Sequence, residues 1–142
     1  MSERRIETYE EFWPFYVREH ANKTNRRLHF IGSTGTLVLV AMAIAKRDPK
    51  YLLAAAVSGY GGAWIGHFGF EKNTPATFKY PLWSFISDWK MYAKILTGSM
   101  DEEVALRVAE HEAKQREASA AEAAEAAAKS KDEAAVHARD LN

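Results

Sequence analysis

Cysteine is absent from the 142 residues. That excludes disulfides, thiolate zinc sites, iron–sulfur clusters and a cysteine nucleophile at once. No glycine-rich phosphate loop with a following lysine occurs, so a nucleotide cofactor has no support. The opening MSERRIETYEEFW has no apolar stretch of the secretory-signal kind. No internal repeat stands out, and no serine–histidine–aspartate arrangement is suggested. Net charge is zero too, but the zero hides a split. Residues 1–100 carry 13 basic against 8 acidic side chains (+5), and residues 101–142 carry 6 against 11 (−5). A basic, aromatic body and an acidic, alanine-rich tail follow, and the body's charge is compatible with anionic partners.

Charge is missing most conspicuously from residues 28–45 and 51–70, neither of which holds a Lys, Arg, Asp or Glu. As helices they would span roughly 27 and 30 Å, close to the hydrocarbon thickness of a bilayer. The charged connector between them, residues 46–50, reads as the tip of an antiparallel hairpin. Ser58, Gly62 and Gly66 recur at four-residue intervals and give the second helix a small-residue face for close contact. The expected fold is therefore all-α: a small helical membrane protein with a central two-helix transmembrane hairpin. At the end away from the tip Arg18, Lys23, Arg26, Arg27, Lys72 and Lys79 outnumber Lys46, Arg47 and Lys50 at the tip, which puts both termini in the cytoplasm.

Flanking helices are expected to lie at the membrane interface. Thr8 and Glu11 form a capping box, after which Tyr9, Trp13, Tyr16 and His20 fall on one stripe, with Pro14 either kinking that helix or marking its start. Asn25 is available to cap the helix that follows. Pro81 suits the first position of a later helix, whose apolar stripe is Leu82, Ile86, Trp89, Ala93 and Leu96, with Ser84, Ser87, Asp88 and Lys94 off the stripe and Asp88 expected at the surface. Ser99 and Glu102 suggest a further capping box. Residues 1–100 are read as the helical membrane domain and 101–142 as a solvated helical or disordered low-complexity tail, with His111 and His137 facing solvent.

The chemistry concentrates at one end of the hairpin. Counted from Asp48 at the tip, His29 lies 19 residues before and His67 19 residues after, so both sit at the same height. His20 precedes that end and Glu71 follows it. Each histidine alone is better explained by a hydrogen bond to a helix end or a lipid head group, but their convergence at membrane depth favours a metal site with open positions. On a continuous helix His67 and Glu71 share a face, with Tyr60 and Trp64 before them. Glu71 then either completes a histidine–carboxylate site, orients a ligand, or pairs with Arg26 or Lys72. Arg26, Arg27 and Lys72 either grip an anionic substrate or meet lipid head groups. Asn25 and Asn73 either cap helices or donate into a pocket.

The pattern H-x4-N-x3-H from His20 to His29, the Ile31-Gly32 pair after it, and the run WIGHFGFEKNTPATFKYPLWSF resemble a family of small membrane 2-hydroxy fatty acid dioxygenases, long catalogued as a domain of unknown function. The resemblance covers roughly residues 8–97 and spares the tail. It implies Fe(II) as cofactor, held by His20, His29 and His67. It also implies alpha-oxidation: a 2-hydroxy fatty acid and O₂ yield an acid one carbon shorter, with no second organic reductant. Arg26, Lys72 and Asn73 are then candidates for the substrate carboxylate, and Tyr60 and Trp64 for the acyl chain. The expected partners are that substrate, O₂ and the bilayer, with no nucleic acid and oligomerisation left open. The expected place is the bacterial inner membrane, against the endoplasmic reticulum in eukaryotic relatives. A non-enzymatic lipid- or metal-binding membrane protein and a metal-dependent lipid hydrolase are the competing readings.

Overall fold

A computed structural model describes residues 5–140, with side chains to residue 131, so His137 lies outside the described side chains. Among the described residues every regular element is helical: α1 (Tyr9–Arg18), α2 (Lys23–Lys46), α3 (Lys50–Gly66), a π turn (His67–Glu71), a 3₁₀ turn (Ala76–Phe78), α4 (Pro81–Leu96) and α5 (Met100–Asp140). The chain divides into two compact units, one ending at Arg107 and the other beginning at Val108.

In the first unit α2 and α3 pack as an antiparallel pair. The turn between them works because Arg47 adopts the left-handed conformation (φ 52°) that ends α2, and Asp48 Oδ1 accepts the Lys50 N–H at 3.0 Å to start α3. Small residues bring the two backbones together. A Cβ built on Gly62 would lie 2.7 Å from the Leu28 carbonyl oxygen, and one on Gly32 would lie 2.7 Å from that of Ser58. Hydroxyls cross the seam instead: Ser58 Oγ donates to Gly32 O at 3.1 Å, and Thr36 Oγ1 to Ala55 O at 3.0 Å.

By length and composition α2 is long and apolar enough to cross a membrane. The second charge-free run behaves differently. Its α-helix stops at Gly66 after 17 residues, because the ladder widens into the π turn.

Helix α1 starts at Thr8, whose Oγ1 accepts the Glu11 N–H at 3.2 Å. It runs through Pro14 rather than beginning there. It buries Phe12, Trp13, Tyr16 and Val17 against α4 and the start of α5. The cap of α2 is Asn22, not Asn25: Asn22 Oδ1 accepts the Thr24 N–H at 2.8 Å, while Asn25 sits fully buried inside the first turn.

Helix α4 is turned inside out relative to a soluble amphipathic helix. Its apolar stripe faces outward, with Leu82 67% and Leu96 63% exposed, whereas Ser84 and Ser87 are buried. Ser87 Oγ meets Tyr9 Oη at 3.2 Å. The same inversion holds across the hairpin, where Ile31, Ile44, Leu53 and Val57 are exposed.

Glu103 joins three elements. It accepts Trp13 Nε1 at 2.9 Å from α1, pairs with Lys94 Nζ at 2.9 Å from α4, and accepts Arg107 Nε at 2.9 Å one turn on. Burial alone would raise its pKa, but these hydrogen bonds outweigh burial and hold it at about 2. A depressed carboxyl pKa gives stability that is present above the unfolded value and lost as pH falls through the folded one. The nominal linkage is ~3 kcal/mol, which solvent screening reduces to ~1–2 kcal/mol. Glu103→Gln is therefore expected to lower the melting temperature at pH 7. In parallel thermal melts the gap to wild type should close between about pH 4.5 and pH 2; a gap that persists at pH 2 would refute the assignment.

The second unit continues α5, whose side chains from 112 to 131 are exposed. Local pairs support it, including Arg116 with Glu112 at 3.7 Å and Gln115 Nε2 with His111 Nε2 at 3.0 Å. His111 is half-exposed rather than fully so.

Candidate metal centre

Three histidines from three different elements meet in the first unit. His20 lies in the turn after α1, His29 one turn and a half into α2, and His67 at the first position of the π turn. All three are buried, and one ligating nitrogen from each lies within 4.8 Å of the others. The ring centroids are 4.6 Å (His20–His29), 4.5 Å (His20–His67) and 5.3 Å (His29–His67) apart, with each pair of rings nearly perpendicular.

Each outer nitrogen is already engaged. His20 Nδ1 faces the Tyr16 carbonyl at 2.7 Å, which can only accept, so Nδ1 carries the proton. His29 Nδ1 lies 3.4 Å from Asp88 Oδ1, another acceptor. His67 Nδ1 lies 2.8 Å from Asn73 Oδ1. The Asn73 amide is fixed the other way round by Glu19, whose carbonyl (3.2 Å) and Oε2 (2.7 Å) take its Nδ2 protons. So Nδ1 is the donor in His20 and His67, which leaves each of their Nε2 atoms with a lone pair, and Asp88 stands beside Nδ1 of His29.

That arrangement fits a cation. His20 Nε2 and His29 Nε2 face each other at 3.2 Å, and His20 Nε2, with the ring's proton on Nδ1, is left as an acceptor. Burial pushes His20 well below the usual imidazole range, with the neighbouring His29 and His67 acting in the same direction, so protonation is disfavoured. Two nitrogens at bonds of ~2.1 Å and near a right angle lie ~3 Å apart, close to the 3.2 Å between His20 and His29. The outer acceptors supply the orientation that metal-ligating histidines need.

Asp88 is the main residue the sequence reading misplaced. It is no free surface group: its side chain is 30% exposed, accepts the Tyr16 hydroxyl and stands 3.4 Å from His29 Nδ1. Its position one turn after Ser84, on the polar face of α4 that points inward, was the available signal. Tyr16 stacks on His20 with centroids 4.0 Å apart, which completes the support of that ring.

Glu71 does not join the histidines. The π turn closes with the Lys72 N–H on His67 O, so four residues no longer return to the same face. Its Oε1 instead accepts the Asn22 N–H at 2.6 Å and Asn25 Nδ2 at 3.4 Å, at the amino end of α2. Arg26 is also drawn elsewhere. It donates from one guanidinium nitrogen to His20 O at 2.8 Å and Ala21 O at 2.6 Å, and from the other to Asp101 at 2.7 Å. That fixes the turn carrying His20. Lys72 is exposed and left-handed (φ 57°) as it ends the π turn. Asn73 supports His67 rather than facing the cavity.

Tyr60 and Trp64 do meet the site. They line a cavity of about 210 Å³ whose floor is the three histidines and whose wall continues along the hairpin to Thr36, Ala55 and Ala56. Both are about half exposed, so the cavity reaches the surface between α3 and α4. Of the described residues lining it, none is Lys or Arg.

The family model described as 2-hydroxy-palmitic acid dioxygenase Mpo1-like matches residues 6–100, which include every residue of this cavity. Neither the curated proteins nor the solved structures contain a match to the chain.

Proposed function

This chain belongs to the Mpo1-like family, and on that premise we propose that it is an Fe(II)-dependent dioxygenase that shortens 2-hydroxy fatty acids by one carbon within a membrane. The observation that carries the reading is the cluster of three buried histidines, each with one ligating nitrogen within 4.8 Å of the others. His20, His29 and His67 would hold the iron, which when bound supplies the means to bring O₂ and the 2-hydroxy acid into reaction, three protein ligands leaving positions open for both. Overall, a 2-hydroxy acid and O₂ give the acid one carbon shorter, CO₂ and water, so the substrate furnishes all four electrons.

The protein's part is binding, orientation and exclusion of water. Tyr16 and Asn73 hold the Nδ1 atoms of His20 and His67, and Asp88 stands beside that of His29. Tyr60, Trp64 and the small residues up to Ala56 form an apolar trough for the acyl chain. Membrane insertion of the whole α2–α3 hairpin, rather than of α2 alone, is supported by the exposed Leu52, Leu53, Val57 and Ile65 of α3. The trough would then open to the acyl region, and a bilayer lipid would enter without crossing water.

The test is anaerobic purification in detergent, Fe(II) loading and mass spectrometry of 2-hydroxypalmitate after O₂ is admitted. The expected product is one carbon shorter and absent when O₂ is withheld. Bound iron with unchanged substrate across a panel of 2-hydroxy acids would turn the reading to a lipid- or metal-binding protein, and oxygen-independent turnover to a hydrolase.

A further inference from the structure

The hydroxyls on the inward face of α4 are buried, and a buried hydroxyl ordinarily has a partner. Ser87 has one in Tyr9. Ser84, also on that face and 1% exposed, has none: its Oγ is buried and unpaired. The usual refuge of a helical hydroxyl is the carbonyl one turn back. Thr34 and Thr97 of this chain take it, on Phe30 O at 2.8 Å and Ala93 O at 3.1 Å. Ser84 does not, although Tyr80 O stands in that position and receives the Ser84 N–H at 2.9 Å. Ser84 instead lines the cavity over the histidines, one helical turn from Asp88.

The cavity poses a matching electrostatic problem. A carboxylate buried there needs compensation, yet no Lys or Arg of the described residues lines the wall and Asp88 adds a negative charge. Bound iron would offset the charge through one carboxylate oxygen, leaving the other in want of a donor. We propose that Ser84 is a substrate-binding residue whose Oγ–H donates to that second carboxylate oxygen, so that the cavity favours 2-hydroxy acids over ligands with the same tail and no carboxylate. This rests on the dioxygenase reading above.

The measurement is anaerobic equilibrium binding to the Fe(II)-loaded full chain in detergent, with 2-hydroxypalmitate and 1,2-hexadecanediol as probes. The diol keeps the tail and the hydroxyl but lacks the carboxylate. Ser84→Ala is expected to weaken acid binding about tenfold or more and to leave diol binding, iron content and melting temperature at wild-type values. Removing an unpaired buried hydroxyl has no native bond to break. Ser84→Thr is expected to restore acid binding. Equal acid affinity in Ser84→Ala and wild type, or an equal loss for acid and diol, overturns the role of Ser84, and wild type still converting the acid leaves the dioxygenase reading intact. Iron-loaded wild type that takes up no 2-hydroxypalmitate overturns both.

Discussion

His67→Ala is expected to purify without iron and to show no turnover of 2-hydroxypalmitate, a loss well beyond the ~10–100-fold that follows removal of an outer hydrogen-bond partner. The reason is geometric. With His67 gone only His20 and His29 remain, 3.2 Å apart at Nε2, and no other metal-ligating group among the described residues joins them. The companion change is Glu71→Gln. Its carboxylate serves the amino end of α2 through the Asn22 N–H at 2.6 Å, and an amide oxygen still accepts there. Glu71→Gln is expected to keep its iron and to lose at most ~1 kcal/mol of stability. Iron by elemental analysis and helicity by circular dichroism separate the two outcomes. Iron retained at wild-type affinity in folded His67→Ala would refute the three-histidine centre, and iron lost in Glu71→Gln would return the carboxylate to it.

The equal spacing of His29 and His67 about Asp48 made their meeting readable from the chain alone, since a short charged turn leaves an antiparallel pair little choice of register. His20 was readable because the polar break after it removes the constraint of one straight helix. Glu71 was not, because i and i+4 share a face only while the ladder stays α-helical, and nothing in HFGFE announces a π turn. Asp88 was misread for a different reason. Polar residues off an apolar stripe are assigned to solvent by a rule made for water, whereas α4 turns that stripe outward and its serines inward. Arg26 shows the limit of reading charge as substrate affinity: its guanidinium closes the turn behind His20, and no composition argument distinguishes that from a free cation.

Gly62→Val is expected to cost the iron as surely as loss of a ligand, though position 62 touches no histidine. Its Cβ would come 2.7 Å from the Leu28 carbonyl oxygen and 3.3 Å from the Gly32 Cα, and both neighbours are backbone that cannot rotate away. Helices α2 and α3 must separate or slide. Leu28 adjoins His29, and Gly62 lies five residues before His67, so the displacement reaches both rings directly. Overpacking of this kind costs ~1–3 kcal/mol of stability, and a ring shifted by even part of an ångström no longer presents Nε2 at bonding distance. Gly61→Val is the control, since a Cβ there meets nothing within 4 Å and the same residue is added to the same helix. The pair is read by melting temperature and iron content: Gly61→Val at wild-type values, Gly62→Val lowered in both. Wild-type iron in Gly62→Val would mean that the close approach of α2 and α3 does not set the separation of His29 and His67. The metal centre would then have to be held by the outer partners Asp88 and Asn73 alone, and its geometry would be a property of α4 and the π turn rather than of the hairpin.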